Sequence, residues 1–254
     1  MANTIAVLNQ KGGVGKTTTA LNTAAYLARS GRSVLLVDAD PQGNSTSGLG
    51  LDKQTIKPTL YDVLFSNAEV AKAIKKVDRE KISLLPSNAQ LAASEIELVE
   101  LPGREFYLRH VLEGLKYDYI IIDCPPSLGL LTINALSAAS DVLIPVQAEY
   151  YALEGLSQLL SVIQQVQASL NPNLNLLGVI LTLYDPRNSL SSQVKAELAQ
   201  HFGSKLFDTV IPRNVRLAEA PSFGKTIIEY DKWSKGARAY KALAKELDKR
   251  VFNA

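Results

Sequence analysis

A glycine-rich stretch near the N-terminus carries the residue types that bind phosphate. Glycines at positions 12, 13 and 15 let the backbone bring N–H groups close to an anion, and the helix predicted after them adds the positive end of its dipole. Lys16 is placed to reach the β- and γ-phosphates of a nucleotide, and the Thr17 hydroxyl to bind a Mg²⁺ ion that bridges phosphate oxygens. The residues predicted to bind the nucleotide are Lys11, Gly12, Gly13, Val14, Gly15, Lys16, Thr17 and Thr18.

This stretch departs from the pattern G-x-x-x-x-G-K-[ST], because Gln10 stands at the first glycine position and Lys11 is an additional lysine. A glycine-rich turn between a strand and a helix can also serve tight packing alone. Here an apolar run at 5–8 precedes the turn and helical composition follows it from 18 to 28, which is the context that the motif requires. Nucleotide binding is therefore favoured over packing.

Acidic residues follow two further apolar runs that are predicted to be buried strands. Asp38 and Asp40 come directly after residues 33–37, and Asp123 ends the run 119–123. Ligands bind at the carboxyl ends of strands in open α/β sheets, so these acids are expected near the phosphate loop, where they can act on Mg²⁺ or on an attacking water. Asp is also common in turns, and each of the two acids after the second strand would alone favour a structural role.

Apolar runs and helical patterns alternate along the chain, which predicts an α/β fold with an open, mostly parallel twisted sheet and helices on both faces. No linker rich in Pro, Gly or Ser divides the 254 residues, and the first strand begins at about Thr4, so one domain without a signal peptide or an extra N-terminal domain is expected. Residues 124–127 form a stiff proline loop that either senses hydrolysis or is a simple turn. The predicted strands are 5–8, 33–37, 82–85, 119–123, 142–146, 176–183 and 210–211, and the predicted helices are 18–28, 60–65, 69–74, 91–98, 104–115, 153–170 and 235–251.

Composition excludes several classes of protein. The 46% hydrophobic and 20% charged content is typical of a soluble globular protein, and no apolar run approaches the roughly 18 residues of a membrane span. A single cysteine, Cys124, excludes an internal disulfide and a cysteine-rich metal or iron–sulfur site within one chain, which suits a reducing cytoplasm.

Basic charge is concentrated in the C-terminal quarter. Residues 1–184 hold 14 Lys and Arg against 17 Asp and Glu, a net of −3, whereas residues 185–254 hold 13 against 8, a net of +5. This asymmetry suggests a surface for a polyanion, and a solvated helix face is the alternative. The last predicted helix has a small, alanine-rich apolar stripe, which favours docking on its own domain over lying on a membrane. That stripe comprises Tyr240, Leu243, Ala244, Leu247 and Val251.

Together, three motifs resemble those of the ParA/Soj family of partition ATPases. They are the phosphate loop at 11–18, the run Val37-Asp38-Ala39-Asp40-Pro41-Gln42-Gly43-Asn44 and the run at 121–127. The stretch 211–222 agrees as well, and the match spans nearly the whole chain. The first motif alone marks only the wider group of deviant-P-loop ATPases, which includes the MinD proteins of cell-division-site selection and the nitrogenase iron protein.

The resemblance implies a Mg²⁺-dependent ATPase with a deviant P-loop NTPase fold, in one ParA-type domain over residues 1–254. Such proteins form a homodimer face to face around two ATP molecules and bind DNA without sequence preference as that dimer. They leave the DNA after a ParB-type partner stimulates hydrolysis. The expected location is the cytoplasm, in association with the nucleoid. Relatives that repress their own operons carry an N-terminal helix-turn-helix domain, and no such domain or specific operator binding is expected here.

Catalytic roles also follow from the resemblance. Lys11 matches the signature lysine that crosses to the partner's nucleotide, and Asp40 matches the residue that positions the attacking water. With Lys16, these are the expected catalytic residues. The expected metal-binding residues are Thr17, Asp40 and Asp123.

Two further pairs of residues match binding positions of relatives. Pro212 and Asn214 fall where relatives hold adenine. Arg187 and Arg216 match positions that close relatives use for DNA, and the planar, multidentate guanidinium suits phosphate contacts.

Other functions fit parts of the same sequence. An iron–sulfur carrier would need cluster cysteines, and a dimer supplies only two copies of Cys124. A MinD-like membrane-associated ATPase would need a stronger apolar face on the last helix. A ParA-like ATPase that positions a non-DNA cargo shares all the motifs, so that alternative stays open.

Overall fold

The computed structural model describes residues 2–149 and 152–252, and an eight-stranded sheet runs through its centre. Short 3₁₀ turns lie at Ala89–Ala93, Leu98–Glu100, Gly203–Lys205 and Ala220–Phe223. The strands are β1 (Asn3–Val7), β2 (Val34–Asp38), β3 (Lys75–Val77), β4 (Ile82–Leu85), β5 (Tyr119–Asp123), β6 (Asp141–Gln147), β7 (Asn175–Tyr184) and β8 (Leu206–Pro212). The helices are α1 (Lys16–Arg29), α2 (Asn44–Gly48), α3 (Leu60–Phe65), α4 (Val70–Ala73), α5 (Ser94–Glu97), α6 (Tyr107–Leu112), α7 (Leu130–Ala138), α8 (Ala152–Ser169), α9 (Ser189–Phe202), α10 (Val215–Glu219), α11 (Ile227–Tyr230) and α12 (Lys235–Phe252).

The sheet confirms the predicted α/β class. The strand order is β3-β4-β2-β5-β1-β6-β7-β8, and all neighbouring pairs are parallel except β3 with β4. The edge strand β3 was not predicted. It has three residues, two of them lysines, and only Val77 is buried, so no apolar alternation marks it in the sequence.

Several other elements differ from the expectation. The helices α2, α7, α9, α10 and α11 were not predicted. α7 lacks an amphipathic period because its polar residues Thr132, Asn134 and Ser137 are buried together with its apolar ones. The predicted helices 91–98 and 104–115 are shorter or broken by 3₁₀ turns. β8 is longer than the predicted 210–211. The polar residues Asp208 and Thr209 interrupt its apolar pattern, and they are tolerated because β8 is an edge strand of the sheet. There the N–H groups of Asp208 and Thr209 donate to the carboxylate of Glu246 on α12.

Two apolar clusters hold the helices onto the two faces of the sheet. One cluster includes α1 and α12, and the other includes α6, α7, α8 and α9. Four of the five stripe residues of α12 are buried and Val251 is partly buried, so the prediction that this helix docks on its own domain is confirmed. Among the described helices, none is long and apolar enough to cross a membrane.

The registers of three central strands bring the predicted site together. In the parallel ladders, Val7 of β1 and Asp38 of β2 are both paired with Asp123 of β5. The chain therefore leaves these three strands at one edge of the sheet, and α1 and α2 follow directly after β1 and β2.

Candidate functional site: a phosphate cradle at the sheet edge

The loop between β1 and α1 has the backbone conformation of an anion cradle. Gly13 and Gly15 have φ angles of 75° and 86°, in the left-handed region that favours glycine, and Gly15 directly precedes α1. A Cβ atom added at Gly12 or Gly13 would meet nothing within 4 Å, so the space beside the loop is open. The Thr182 hydroxyl of β7 donates to the Val14 carbonyl at 2.8 Å and fastens the loop to the sheet. Together these features leave backbone N–H groups available to an anion.

Lys16 is a buried cation at the centre of the cradle. Its side chain donates to the Lys11 carbonyl at 3.0 Å, which uses one of three ammonium hydrogens. Burial lowers the pKa of Lys16, and the nearby Asp123 and Asp40 carboxylates act in the opposite direction. The residue is 7% exposed, so an anionic ligand that entered the cradle would find a cation with unused donors.

Asp123 is a buried carboxylate with one free oxygen. Its Oδ2 accepts a hydrogen bond from Ser45 at 2.8 Å, while its Oδ1 has no hydrogen-bond partner among the residues that the structure describes. Burial raises the pKa of Asp123, and the hydroxyls of Ser45 and Thr17 lower it. A buried unpaired carboxylate oxygen near a threonine hydroxyl is the kind of oxygen donor set that Mg²⁺ uses together with phosphate oxygens.

The two acids at the carboxyl end of β2, Asp38 as its last residue and Asp40 after it, have different surroundings. Asp38 is fully buried, and its Oδ2 accepts from the N–H and the hydroxyl of Thr46 at 2.8 and 2.7 Å. Its Oδ1 accepts from the Asp40 N–H at 3.3 Å, so both oxygens of Asp38 are occupied in holding α2 and the loop before it. Burial, followed by the charge of Asp123, raises the pKa of Asp38. Asp40 has one carboxylate oxygen bonded to the Gln42 N–H at 2.8 Å, which leaves the other without a protein donor in the described chain.

The Lys11 side chain is held at the surface by an acid that follows β6. Its ammonium lies 2.7 Å from Glu149 Oε2, with both side chains 46% exposed. The other oxygen of Glu149 accepts from the Gln147 amide at the end of β6. The backbone of Lys11 donates to Asn9 Oδ1 at 3.0 Å, and the Asn9 amide is tied to β6 through the Pro145 carbonyl at 2.8 Å. The loop is thus fixed while the lysine side chain lies at the surface.

A cavity of about 200 Å³ opens beside the cradle. It is lined by Gly13 and Gly15 of the loop and by residues of later elements, among them Thr18 of α1, Leu183 of β7, Asn214 directly before α10 and Tyr240 of α12. Asn214 Oδ1 is buried without a hydrogen-bond partner in the described chain, and Leu183 has a φ of 51°, a strained value for leucine. Pro212, two residues earlier, ends β8 and does not line the cavity. An unpaired acceptor in a small cavity next to a phosphate cradle fits the amino group of a nucleobase.

Arg187 and Arg216 lie outside the cradle, and each already has carboxylate partners. Arg187 is 89% exposed and makes two hydrogen bonds to Asp185, at 3.0 and 2.7 Å. Arg216 on α10 donates to Glu219 at 2.9 Å and lies 3.6 Å from Asp231. Surface ion pairs of this kind contribute little to stability, so both side chains remain available to other anions. The role of the two arginines in DNA binding stays a prediction.

Sequence reasoning missed three residues that shape this site: Ser45, Glu149 and Thr182. Thr182 is near the end of β7 and Glu149 follows β6, so attention to the carboxyl ends of all the strands would have found both. The role of Ser45 depends on α2 packing beneath the cradle, which no local pattern reveals. Within the described ranges, no group of three or more His, Cys, Asp or Glu side chains is arranged to hold a metal by itself.

Known proteins resemble this chain over nearly its whole length. A family model described as an AAA domain matches residues 2–176. The sporulation initiation inhibitor protein Soj of Bacillus subtilis is 56% identical over 249 residues, which cover 97% of this chain and 98% of that protein. The chromosome partitioning protein ParA of Caulobacter vibrioides is 50% identical over 250 residues, which cover 97% of this chain and 94% of that protein.

A solved structure shares the fold. Cobyrinic acid a,c-diamide synthase from Mycobacterium smegmatis, with bound ATP analogue and magnesium, is 40% identical and gives a TM-score of 0.87. The match covers 99% of this chain and 96% of that chain. The likeness therefore includes the cradle, the acids beside it and the C-terminal helix.

The Ser45 hydroxyl is predicted to stabilise the fold through Asp123. The substitution Ser45→Ala leaves a second buried carboxylate oxygen without its donor and should lower the free energy of unfolding by about 1 to 3 kcal/mol. Ser47→Ala on the same helix is the control, since that hydroxyl donates only to the nearby Gly43 and Asn44 carbonyls, and should change stability by less than about 0.5 kcal/mol. Urea unfolding measures both, and equal losses would contradict the role of Ser45.

Proposed function

The chain belongs to the Soj/ParA family of chromosome-partitioning ATPases, and from that premise we propose that it is a Mg²⁺-dependent ATP switch that positions DNA. In this proposal ATP joins two chains into a homodimer, the dimer binds DNA without sequence preference, and hydrolysis stimulated by a ParB-type partner releases it. The observation that carries the proposal is the open cradle, where buried Lys16 with unused donors lies within the electrostatic reach of Asp123, whose Oδ1 has no hydrogen-bond partner in the described chain.

The residues of the cradle fit ATP and Mg²⁺. The triphosphate would be held by the N–H groups of the glycine loop and by Lys16, and Mg²⁺ by Thr17 and Asp123. Bound Mg²⁺ neutralises charge that develops on the transferred phosphate. The relative from Mycobacterium smegmatis supports this assignment, since its structure has an ATP analogue and magnesium bound.

Asp40 is assigned to the chemical step. Its charge acts on both Lys16 and Asp123, so it lies close to the groups that would bind the phosphates. One of its oxygens has no protein donor in the described chain, and a carboxylate in that state can orient a water for attack. We assign to Asp40 the positioning of the attacking water. With Thr17 and Asp123, Asp40 completes the proposed set of Mg²⁺-binding residues.

The base is assigned to the cavity beside the cradle. Asn214 contributes an acceptor that has no partner in the described chain, and this matches the amino group of adenine. Pro212 supports the position of Asn214 by ending β8 and does not line the cavity.

Lys11 is assigned to the partner subunit's nucleotide. Its ammonium is half exposed and paired with Glu149, whereas Lys16 already occupies the cradle of its own chain. In the dimer, Lys11 would exchange Glu149 for a phosphate on the partner. This makes dimerisation depend on the nucleotide and not only on surface complementarity.

DNA binding is assigned to the basic C-terminal quarter, with Arg187 and Arg216 as phosphate contacts. Both arginines are exposed and planar, and their carboxylate partners are surface groups that a phosphate can replace. Association with the nucleoid in the cytoplasm follows from DNA binding. The apolar stripe of α12 is buried against its own domain, which speaks against a membrane role for that helix.

Lys16 and Asp40 are predicted to have separable roles, because the first neutralises phosphate charge and the second acts on water. Lys16→Ala should weaken ATP binding at least tenfold. Asp40→Ala should keep ATP binding and dimerisation but lower turnover about a hundredfold or more. Equilibrium dialysis and phosphate release measure the two effects. Wild-type turnover in Asp40→Ala would show that the assignment of Asp40 is wrong.

Lys11→Ala is predicted to separate ATP binding from dimerisation. Monomers of this variant should bind ATP normally but fail to dimerise with a non-hydrolysable analogue, since no ammonium then reaches the partner's phosphate. Sedimentation velocity measures the dimer fraction. Lys72→Ala, which removes an exposed lysine that is paired with Glu69 at 2.8 Å, is the matched control. A full yield of dimer from Lys11→Ala would rule out the role across the interface.

DNA binding is predicted to require ATP and to fall steeply with salt. A dimer doubles the basic surface, and each phosphate contact contributes a slope of about −0.9 in log K against log salt. Arg187→Glu with Arg216→Glu should weaken binding about equally on two unrelated duplexes. Fluorescence anisotropy over a salt series, with and without ATP, tests both claims. Binding that is independent of nucleotide would contradict the switch, and wild-type affinity in the double variant would contradict the two arginines as contacts.

A further inference from the structure

The exposed side of α12 carries a row of cations. Lys235, Arg238, Lys241, Lys245 and Lys249 are all exposed, and their spacing of three or four residues places them along one side of the helix. These five residues are called the α12 face. Between Lys235 and Lys249 the helix rises about 21 Å, at about 1.5 Å per residue. A row of this length can lie beside several phosphates of a duplex, which carries about one charge per 1.7 Å of its axis.

The α12 face lacks carboxylate partners. None of its five side chains forms an ion pair or a hydrogen bond within residues 2–149 and 152–252. The two acids of the same helix, Glu246 and Asp248, accept hydrogen bonds from residues outside the α12 face. Glu246 accepts from Arg250 and from two N–H groups of β8, and Asp248 accepts from Arg32 and from the hydroxyl of Tyr119. The positive charge of the face is thus not compensated by the fold.

Arg187 and Arg216 differ from the α12 face in this respect. Each of them holds a carboxylate at hydrogen-bond distance, so Asp185 or Glu219 already neutralises part of its charge when a phosphate approaches. An unpaired lysine has no such partner to give up. Its binding to phosphate releases the counterions of the phosphate without breaking a contact within the protein.

The chemistry of the α12 face favours phosphate over lipid or a folded partner. Between Lys235 and Lys249 the only exposed residue without charge is Ala242, so this part of the helix offers no large apolar side chain to insert into a bilayer. The exposed aromatic side chains Trp233 and Phe252 lie outside this part, one before the helix and one at its end. A duplex presents about one negative charge per 1.7 Å of axis, so a helix about 21 Å long lies beside more phosphates than five cations can neutralise. Contact by lysine point charges is also indifferent to base sequence.

Trp233 and Lys232 extend the cationic surface at the start of α12. Lys232 lies 5.2 Å from the ring of Trp233, which is 79% exposed. Both residues border a groove of about 610 Å³ between α1 and α12, which Lys241 and Lys245 also line. Arg216 is linked to this region through Asp231, the residue before Lys232.

We propose that the α12 face is a phosphate-contact surface for duplex DNA, additional to Arg187 and Arg216. This inference rests on the proposed function, because it presumes that the protein binds DNA. It adds that the unpaired lysines of α12 cause most of the decrease in DNA affinity with increasing salt concentration. In a dimer each subunit presents one such face, so the two faces together double the number of phosphate contacts.

The test compares three pairs of substitutions that each remove two positive charges. They are Lys241→Gln with Lys245→Gln on the α12 face, Arg187→Gln with Arg216→Gln, and Lys76→Gln with Lys116→Gln as the control. Lys76 and Lys116 are exposed and have no ion pair in the described chain, so the control matches the first pair in charge and in pairing. Fluorescence anisotropy on two unrelated duplexes, between about 50 and 200 mM salt and with a non-hydrolysable ATP analogue, gives the affinity and its salt slope. Affinities are compared at equal dimer concentrations, which sedimentation measures for each variant.

The α12 pair should weaken binding at least tenfold on both duplexes and reduce the salt slope by about 0.9 for each phosphate that the variant no longer neutralises. The arginine pair should reduce the slope by less, and the control should stay within about twofold of the wild type. DNA binding by the wild type with no difference between the α12 pair and the control would overturn this inference and leave the proposed function intact. Absence of DNA binding by the wild type would overturn both. A third outcome is that the α12 pair and the control bind DNA equally well, while only the α12 pair loses binding to poly-glutamate or to phosphatidylglycerol vesicles. This result would assign the α12 face to another polyanion and overturn the proposal.

Discussion

A buried ammonium that needs negative partners organises this protein. Lys16 is enclosed by the sheet edge, and a buried charge is costly unless neighbouring groups compensate it. The compensation comes from Asp123 on β5 and Asp40 after β2, which reach Lys16 only because β1, β2 and β5 are adjacent, parallel and in register at their carboxyl ends. Neutralising a buried charge therefore constrains the order of the central strands. The same requirement explains why α2 is pinned so firmly, since Asp38 and Asp123 both take hydrogen bonds from it.

The contacts of the two lysines in the loop suggest how nucleotide binding and dimerisation are coupled. Lys16 is held by the carbonyl of Lys11, and the side chain of Lys11 is held by Glu149. Both partners are weaker than a phosphate, one because it is neutral and the other because the pair is half exposed. A triphosphate that binds Lys16 removes the hydrogen bond between Lys16 and the Lys11 carbonyl. It therefore changes the contacts of Lys11, the residue whose side chain is proposed to cross the interface. Binding in one cradle is in this way connected with assembly of the dimer through the short loop from Lys11 to Lys16.

Much of the site could be predicted from sequence because its chemistry lies in short contiguous motifs. Lys16, Thr17 and Asp123 follow strands with clear apolar runs, and the sheet edge brings them together as the strand-end rule predicts. Residues whose role depends on tertiary packing could not be found in this way. Ser45 becomes a partner of Asp123 only when α2 folds under the cradle, and both oxygens of Asp38 turn out to be occupied, although its position suggested direct chemistry. The fold shows the same division, since α7 has no amphipathic period and β3 has no apolar alternation, so neither carries a local pattern to detect.

The central claim is that Lys16 and Lys11 exchange their partners within the protein for phosphates. The most direct measurement is a crystal structure of the chain with a non-hydrolysable ATP analogue and Mg²⁺. The account predicts the triphosphate in the loop, Lys16 on a phosphate instead of the Lys11 carbonyl, and Lys11 separated from Glu149 and directed at the nucleotide of a second chain. A bound nucleotide that left both the Lys16 contact with the carbonyl and the Lys11 contact with Glu149 unchanged would contradict it.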